Sequence, residues 1–160
     1  MLTQVLLSRI VLSSDFNFNE IALKDIGRLE RNGWKWSPYL DMLNVMLAAK
    51  ALKTQQYDKA IRYAEDANKS RSIILKKDDE RIIIPVSYLM AALVKTKKYN
   101  ECINKFKEID KKWLESESPK VVGSVARVYS AYAQALFATG KKTGGHVLPR
   151  TFPGIDCGHI

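Results

Sequence analysis

The residues that could bind a metal ion lie together near the end of the chain. They are His146, Asp156, Cys157 and His159. A structural zinc site needs four ligands on ordered backbone, and its Cys and His ligands are usually separated by two or more residues. A single residue separates Cys157 from His159, and the glycines and prolines around them disfavour regular structure. We therefore predict no metal site and no cofactor.

Residues that could catalyse a reaction do not form a recognisable group. The sequence has no Ser, His and Asp arrangement for nucleophilic catalysis, and no glycine-rich loop before a helix that could hold a phosphate. The acidic run Asp78-Asp79-Glu80 is typical of a solvated surface. Cys102 lies on the apolar side of a predicted helix, where a thiol acts as a small buried hydrophobe. We predict that the protein is not an enzyme.

The chain carries a large excess of positive charge. It has 26 Lys and Arg against 17 Asp and Glu, a net charge of +9. The excess is concentrated from Lys95 onward, and a basic stripe of this kind can bind nucleic acid, acidic protein or anionic lipid. The nearby Tyr99, Phe106 and Trp113 recur at helical spacing, which suits a helix core better than a platform for stacked bases. We interpret the lysines as a solvated face and do not favour a nucleic-acid partner.

Cysteine usage and hydropathy indicate where the protein resides. Its two cysteines make no disulfide framework, which favours a reducing compartment. No run of about 18 apolar residues is present, so we predict no membrane span. Arg9 interrupts the apolar first residues and no small-residue cleavage site follows, which argues against a signal peptide. We predict a cytoplasmic protein.

The segment from Leu43 to Lys69 predicts a pair of helices. Apolar residues recur at helical spacing before and after a polar break at Thr54-Gln55-Gln56. Short side chains let two helix backbones approach closely. We therefore expect this pair to cross at three alanines, which are Ala48, Ala60 and Ala67.

The same pattern recurs along the chain. Tyr99 lies 42 residues after Tyr57, and Phe16 lies 41 residues before Tyr57, each following a comparable polar break. A third copy of the first helix ends at Thr139-Gly140. A helix-turn-helix unit that recurs at a fixed period is typical of a helical solenoid. Prolines also fall at or just before three predicted repeat starts, where a helix tolerates them: Pro38, Pro85 and Pro119.

The central unit resembles the tetratricopeptide repeat. Leu47 and Ala48 before the turn, and Tyr57, Ala60 and Ala67 after it, match the family's alternation of large and small residues. The family's commonest repeat has about 34 residues, whereas the period here is 41–43, so we expect longer helices. The resemblance covers roughly residues 1–140. It implies an all-α, right-handed α-α superhelix of about seven antiparallel helices over residues 1–141, followed by an irregular or disordered tail, 142–160.

The resemblance also implies a binding function. In proteins of this family the first helix of each repeat lines a concave groove that binds a partner protein. Some members clamp a peptide carboxylate with Lys and Asn; here those positions are small or apolar, so we expect no carboxylate clamp. Alignment on the turns places these residues in the groove: Met42, Val45, Ala49, Leu52, Ile84, Ser87, Ala91, Val94, Arg127, Ser130, Gln134 and Phe137.

We therefore predict a non-catalytic scaffold or adaptor that binds a peptide or helix segment of another protein. Two alternatives stay open. One is a regulatory or sensor domain of a larger polypeptide, such as a bacterial regulator. The other is a basic solenoid associated with nucleic acid, which the salt dependence of binding would test. The predicted helix Met1–Leu12 has no polar face, so self-association through it is a further hypothesis.

Overall fold

The protein is built from helices throughout the part that the computed structural model describes, residues 24, 27, 28, 31–33, 38–76 and 79–141. This part contains no strand, which confirms the predicted all-α class. The predicted helix at Met1–Leu12 and the tail 142–160 lie outside it. The helices are α1 (Pro38–Lys53), α2 (Tyr57–Ile74), α3 (Ile83–Lys95), α4 (Tyr99–Lys107), α5 (Lys111–Leu114) and α6 (Val122–Thr139), with a 3₁₀ turn, Glu80–Ile82, before α3.

Helix α3 is central to the packing. Helix α2 packs back along α1, and α3 packs against both of them. Helix α4 returns along α3, and α6 packs against α3 and α4, where the rings of Phe106 and Tyr132 stack with centroids 3.7 Å apart. The first helix of each pair therefore contacts the first helix of the next pair. The core is continuous through these contacts and includes Leu43, Leu47, Ile83, Met90 and Val128.

The ends of α1, α3 and α6 share one turn geometry. A threonine hydroxyl donates to carbonyls three and four residues earlier at Thr54, Thr96 and Thr139. The next residue is left-handed in each turn, with φ of 61° at Gln55, 60° at Lys97 and 64° at Gly140. The following N–H reaches the carbonyl five residues back, which satisfies an otherwise free acceptor. These bonds are Gln56 to Ala51 (2.8 Å), Lys98 to Leu93 (2.8 Å) and Lys141 to Leu136 (3.1 Å).

The three alanines at which α1 and α2 were expected to cross are fully buried. Ala48 on α1 and both Ala60 and Ala67 on α2 have no exposed surface, which confirms the predicted burial. A methyl group occupies little space, so α1 and α2 can pack closely along their length. The small side chains predicted from the sequence therefore allow the close packing of α1 and α2.

A partly buried ion pair joins the start of α1 to the end of α2, beside the turn that precedes α3. The Nε atom of Arg71, near the end of α2, donates to Oδ1 and Oδ2 of Asp41 at 2.8 and 3.0 Å. Nη1 of Arg71 also donates to the carbonyl of Arg81, in the turn before α3. Only 11% of the Arg71 side chain and 14% of the Asp41 side chain are exposed. The guanidinium therefore fixes how the α1–α2 pair meets the next pair.

The structure differs from the sequence-based expectation in the second pair. The helical spacing of Tyr99, Phe106 and Trp113 predicts one continuous helix, but the chain leaves the helix after Lys107 and restarts at Lys111. Asp110 accounts for the restart, because its carboxylate accepts a hydrogen bond from the N–H of Lys112 at 3.1 Å and caps α5. Among the described helices, none combines the length and the apolar character needed to cross a membrane.

Candidate functional site

The predicted groove residues differ in exposure from one helix to the next. Those of α1 are all half-buried: Met42, Val45, Ala49 and Leu52. On α3, Ile84 and Ala91 are half-buried, whereas Ser87 and Val94 are buried. On α6, Arg127 is half-buried and the other three are exposed: Ser130, Gln134 and Phe137. Helix α3 packs against α1 as well as α6, so its groove positions are covered more than those of α6.

A small depression brings five of the predicted groove residues together. It lies between α3 and α6 and has a volume of about 60 Å³. A depression of this size suits one small side chain. Lys95 and Ala131 also line it, although the turn alignment did not include them. The predicted residues at this place are Ala91, Val94, Arg127, Ser130 and Gln134.

Arg127 is held against α3. Its Nη1 donates to Oγ of Ser87 at 2.9 Å, and its guanidinium carbon lies 4.3 Å from the centroid of the Tyr88 ring. Oγ of Ser87 in turn donates to the carbonyl of Ile84 at 2.7 Å. These contacts fix a positive charge beside the depression and join α6 to α3. Sequence analysis placed Arg127 in the groove but did not identify Tyr88 as its partner. The aromatic residue on the neighbouring first helix was the signal that could have indicated this contact.

Exposed lysines mark the edge formed by the turns. Lys95, Lys97 and Lys98 surround the turn after α3, and Lys141 follows the turn after α6. Nζ of Lys141 donates to Oδ1 of Asn100 at 2.8 Å, which places these two turns side by side. This hydrogen bond joins the residues that follow the two turns. Lys95 also lines the depression, so the basic edge adjoins it.

A larger polar pocket of about 650 Å³ lies near the start of α3. Its two carboxylates have polar partners: Nη2 of Arg81 lies 2.6 Å from Oδ2 of Asp79, and Oγ of Ser116 donates to Oε2 of Glu80 at 2.5 Å. The hydrogen bond from Arg81 lowers the pKa of Asp79 to about 2, and that from Ser116 holds the pKa of Glu80 below its usual value. Both carboxyls are ionised at neutral pH, which favours a structural role for them over proton transfer.

A more apolar hollow of about 430 Å³ lies between α2, α3, α4 and α5. Ile109, in the break between α4 and α5, and Trp113, on α5, both line it. The indole Nε1 of Trp113 is buried and has no hydrogen-bond partner within the described residues. The lining residues are Asn68, Ser72, Ile82, Val86, Lys105, Glu108, Ile109 and Trp113.

In the described part of the chain, the thiol of Cys102 is buried on α4. Burial raises the pKa of Cys102 to about 12, so the thiolate that would act as nucleophile is not formed at neutral pH. No three His, Cys, Asp or Glu residues cluster there as metal ligands. His146, Asp156, Cys157 and His159 lie outside the described residues.

Comparison with known proteins returns no matching family model, no matching curated protein and no matching solved structure. The resemblance of the central unit to the tetratricopeptide repeat therefore remains a prediction.

Proposed function

We propose that this protein is a non-catalytic interaction module, a tetratricopeptide-like solenoid that binds a short segment of a partner protein. The solenoid part of the proposal is supported by the common turn geometry at Thr54, Thr96 and Thr139 and by packing between successive helix pairs. Each pair covers part of the previous one, as in repeat arrays. The binding part concerns the side of α3 and α6 that faces away from α4.

The observation that carries the binding proposal is the shared depression between α3 and α6. Residues predicted from the turn alignment line it on both helices, with Ala91 and Val94 on one side and Ser130 and Gln134 on the other. An apolar floor with polar groups at its rim suits a peptide whose small apolar side chain enters the depression. Gln134 and Ser130 are exposed and offer hydrogen bonds to the main chain of such a peptide.

The charge beside the depression favours an acidic or neutral segment. Arg127 and Lys95 both line it, and none of the described residues that line it is acidic. An attractive field of this kind raises the association rate more than it raises the affinity. We therefore expect a partner segment with a small apolar residue flanked by Asp or Glu.

The test is selection of binders from a random peptide library displayed on phage, with the full-length chain as bait. Selected peptides are then measured against Ser130→Arg, which places a long side chain at the rim. The matched control is Ser72→Arg, which changes another exposed helix serine, on α2. We expect at least a tenfold loss of affinity for Ser130→Arg and no loss for the control. Equal losses in both variants, or no enrichment of any peptide, would refute the proposed site.

A further inference from the structure

Helix α6 carries an apolar seam along its whole length. Its members are Val122, Ala126, Tyr129, Ala133 and Phe137, which recur at steps of three and four residues and so share one side of the helix. Val122 is 45% exposed and Phe137 is 91% exposed, whereas the two alanines are half-buried. Tyr129 is also half-buried, and its ring lies 5.8 Å from that of Phe106 on α4. We call these residues the α6 seam.

The fold itself covers the corresponding side of the preceding first helix. Thr96 and Thr139 occupy the same place in their turns, 43 residues apart, and this step relates α3 to α6. At the four α3 positions that match the seam from Ala126 onward, every residue is buried. These residues are Ile83, Val86, Met90 and Val94. Within the described residues, the α6 seam is therefore the same surface without the helices that cover it on α3, so a helix is the occupant that it fits.

The order of side chains along the seam is nearly the same from either end. A large apolar residue lies at each end, Val122 and Phe137, and an alanine lies one turn inside each, Ala126 and Ala133. Tyr129 lies at the midpoint. A two-fold symmetric interface requires a surface that is complementary to itself. If residue i of one copy contacts residue j of the other, then residue j of the first copy also contacts residue i of the second.

We propose that the α6 seam packs against the α6 seam of a second copy of this chain, with the two helices antiparallel. This pairing sets Val122 opposite Phe137 of the second copy, and Ala126 opposite Ala133 of the second copy. The alanines on both sides of the midpoint allow the helix axes to approach to about 8 Å. Ala48 and Ala60 are buried between α1 and α2 in the same way. The fold thus repeats between two copies the type of contact that it makes within one.

The sequence argues against the chain's own last residues as the occupant. Gly144, Gly145, Pro149 and Pro153 fall within residues 142–160, and this composition opposes an amphipathic helix. A helix of 18 residues is about 27 Å long, and one helix pair of that length lies at the small end of stable interfaces. We therefore expect a reversible dimer whose mass depends on concentration.

The test is sedimentation equilibrium of the full-length chain over a range of concentrations. The wild type should show a monomer–dimer equilibrium, and Phe137→Glu should weaken it at least tenfold by placing a charge in the seam. The matched control is Ile73→Glu on α2, where an apolar side chain is 59% exposed outside the seam, and its dimerisation should be unchanged. A wild type that stays monomeric into the millimolar range would overturn the proposal, as would equal weakening by the control.

Charge exchange tests the antiparallel register. Val122→Lys alone should weaken dimerisation as Phe137→Glu does, since each variant places a charge against an apolar residue. A mixture of the two variants should associate again, because one Lys then faces one Glu and the opposite end keeps its Val and Phe. Failure of the mixture to associate would overturn the antiparallel pairing. Thermal unfolding of each variant shows whether the monomer is intact. The peptide depression is not lined by Phe137 or Val122, so loss of dimerisation and loss of peptide binding are separable.

Discussion

Replacing Lys97 by glycine should stabilise the protein. Lys97 has a φ of 60°, a left-handed conformation that costs a residue with a Cβ atom about 1–2 kcal/mol. Glycine adopts it without that cost but loses more conformational freedom on folding, which offsets about 0.5–1 kcal/mol of the gain. We expect the free energy of unfolding to rise by about 0.5–1 kcal/mol. Gln55 has the same conformation at the end of α1, so Gln55→Gly should give a similar and additive gain.

The reverse change at the third turn should destabilise the protein. Gly140 has a φ of 64°, and a Cβ atom built there meets no atom within 4 Å. The cost of Gly140→Ala is therefore conformational and not steric, and we expect about 1 kcal/mol. Urea unfolding followed by circular dichroism measures both changes. For a chain of this size, about 1 kcal/mol corresponds to a shift of about 2–4 °C in the melting temperature.

A charge control separates the backbone effect from the loss of a lysine. Lys97→Ala removes the same charge but keeps a Cβ atom, and a single exposed charge contributes about 0–1 kcal/mol. We expect its stability to equal or fall below that of the wild type. If Lys97→Gly were no more stable than Lys97→Ala, or if Gly140→Ala left stability unchanged, the common left-handed turn would be wrong.

Three further predictions concern buried groups. Ala60→Leu should destabilise the protein by about 1–3 kcal/mol because Ala60 has no exposed surface, and an unchanged melting temperature would contradict the close packing of α1 and α2. Asp41→Asn should lower the free energy of unfolding by about 2 kcal/mol, because it leaves the Arg71 guanidinium without its charged partner. Asp66→Asn, in an exposed pair with Lys69, should lower it by less than about 1 kcal/mol in the same urea titration. Cys102 should resist alkylation at pH 8, since its buried thiol has a pKa of about 12, and peptide mapping should show modification only as the protein unfolds.

The candidate site was only partly accessible to sequence reasoning. Alignment on the turns identified the sides of α3 and α6 that meet, because helical periodicity fixes which residues share a side. It could not show that Arg127 would be held by Ser87 and Tyr88, since those contacts join residues about 40 positions apart. Phe137, which it also assigned to the groove, is exposed and does not line the depression, so its role in the groove stays a prediction.

The sequence by itself determined the helical class, the period and the place of the turns. These features depend on local patterns: apolar residues at helical spacing, small residues such as Ala48 and Ala60, and polar breaks that recur every 42 or 43 residues. Tertiary structure decided the break between α4 and α5, the Asp41–Arg71 ion pair and the exposure of the α6 seam. Each of these depends on which distant residues meet in space or on which surfaces remain uncovered. Local propensity carries no information about either, because burial is a property of the packed helices and not of one helix alone.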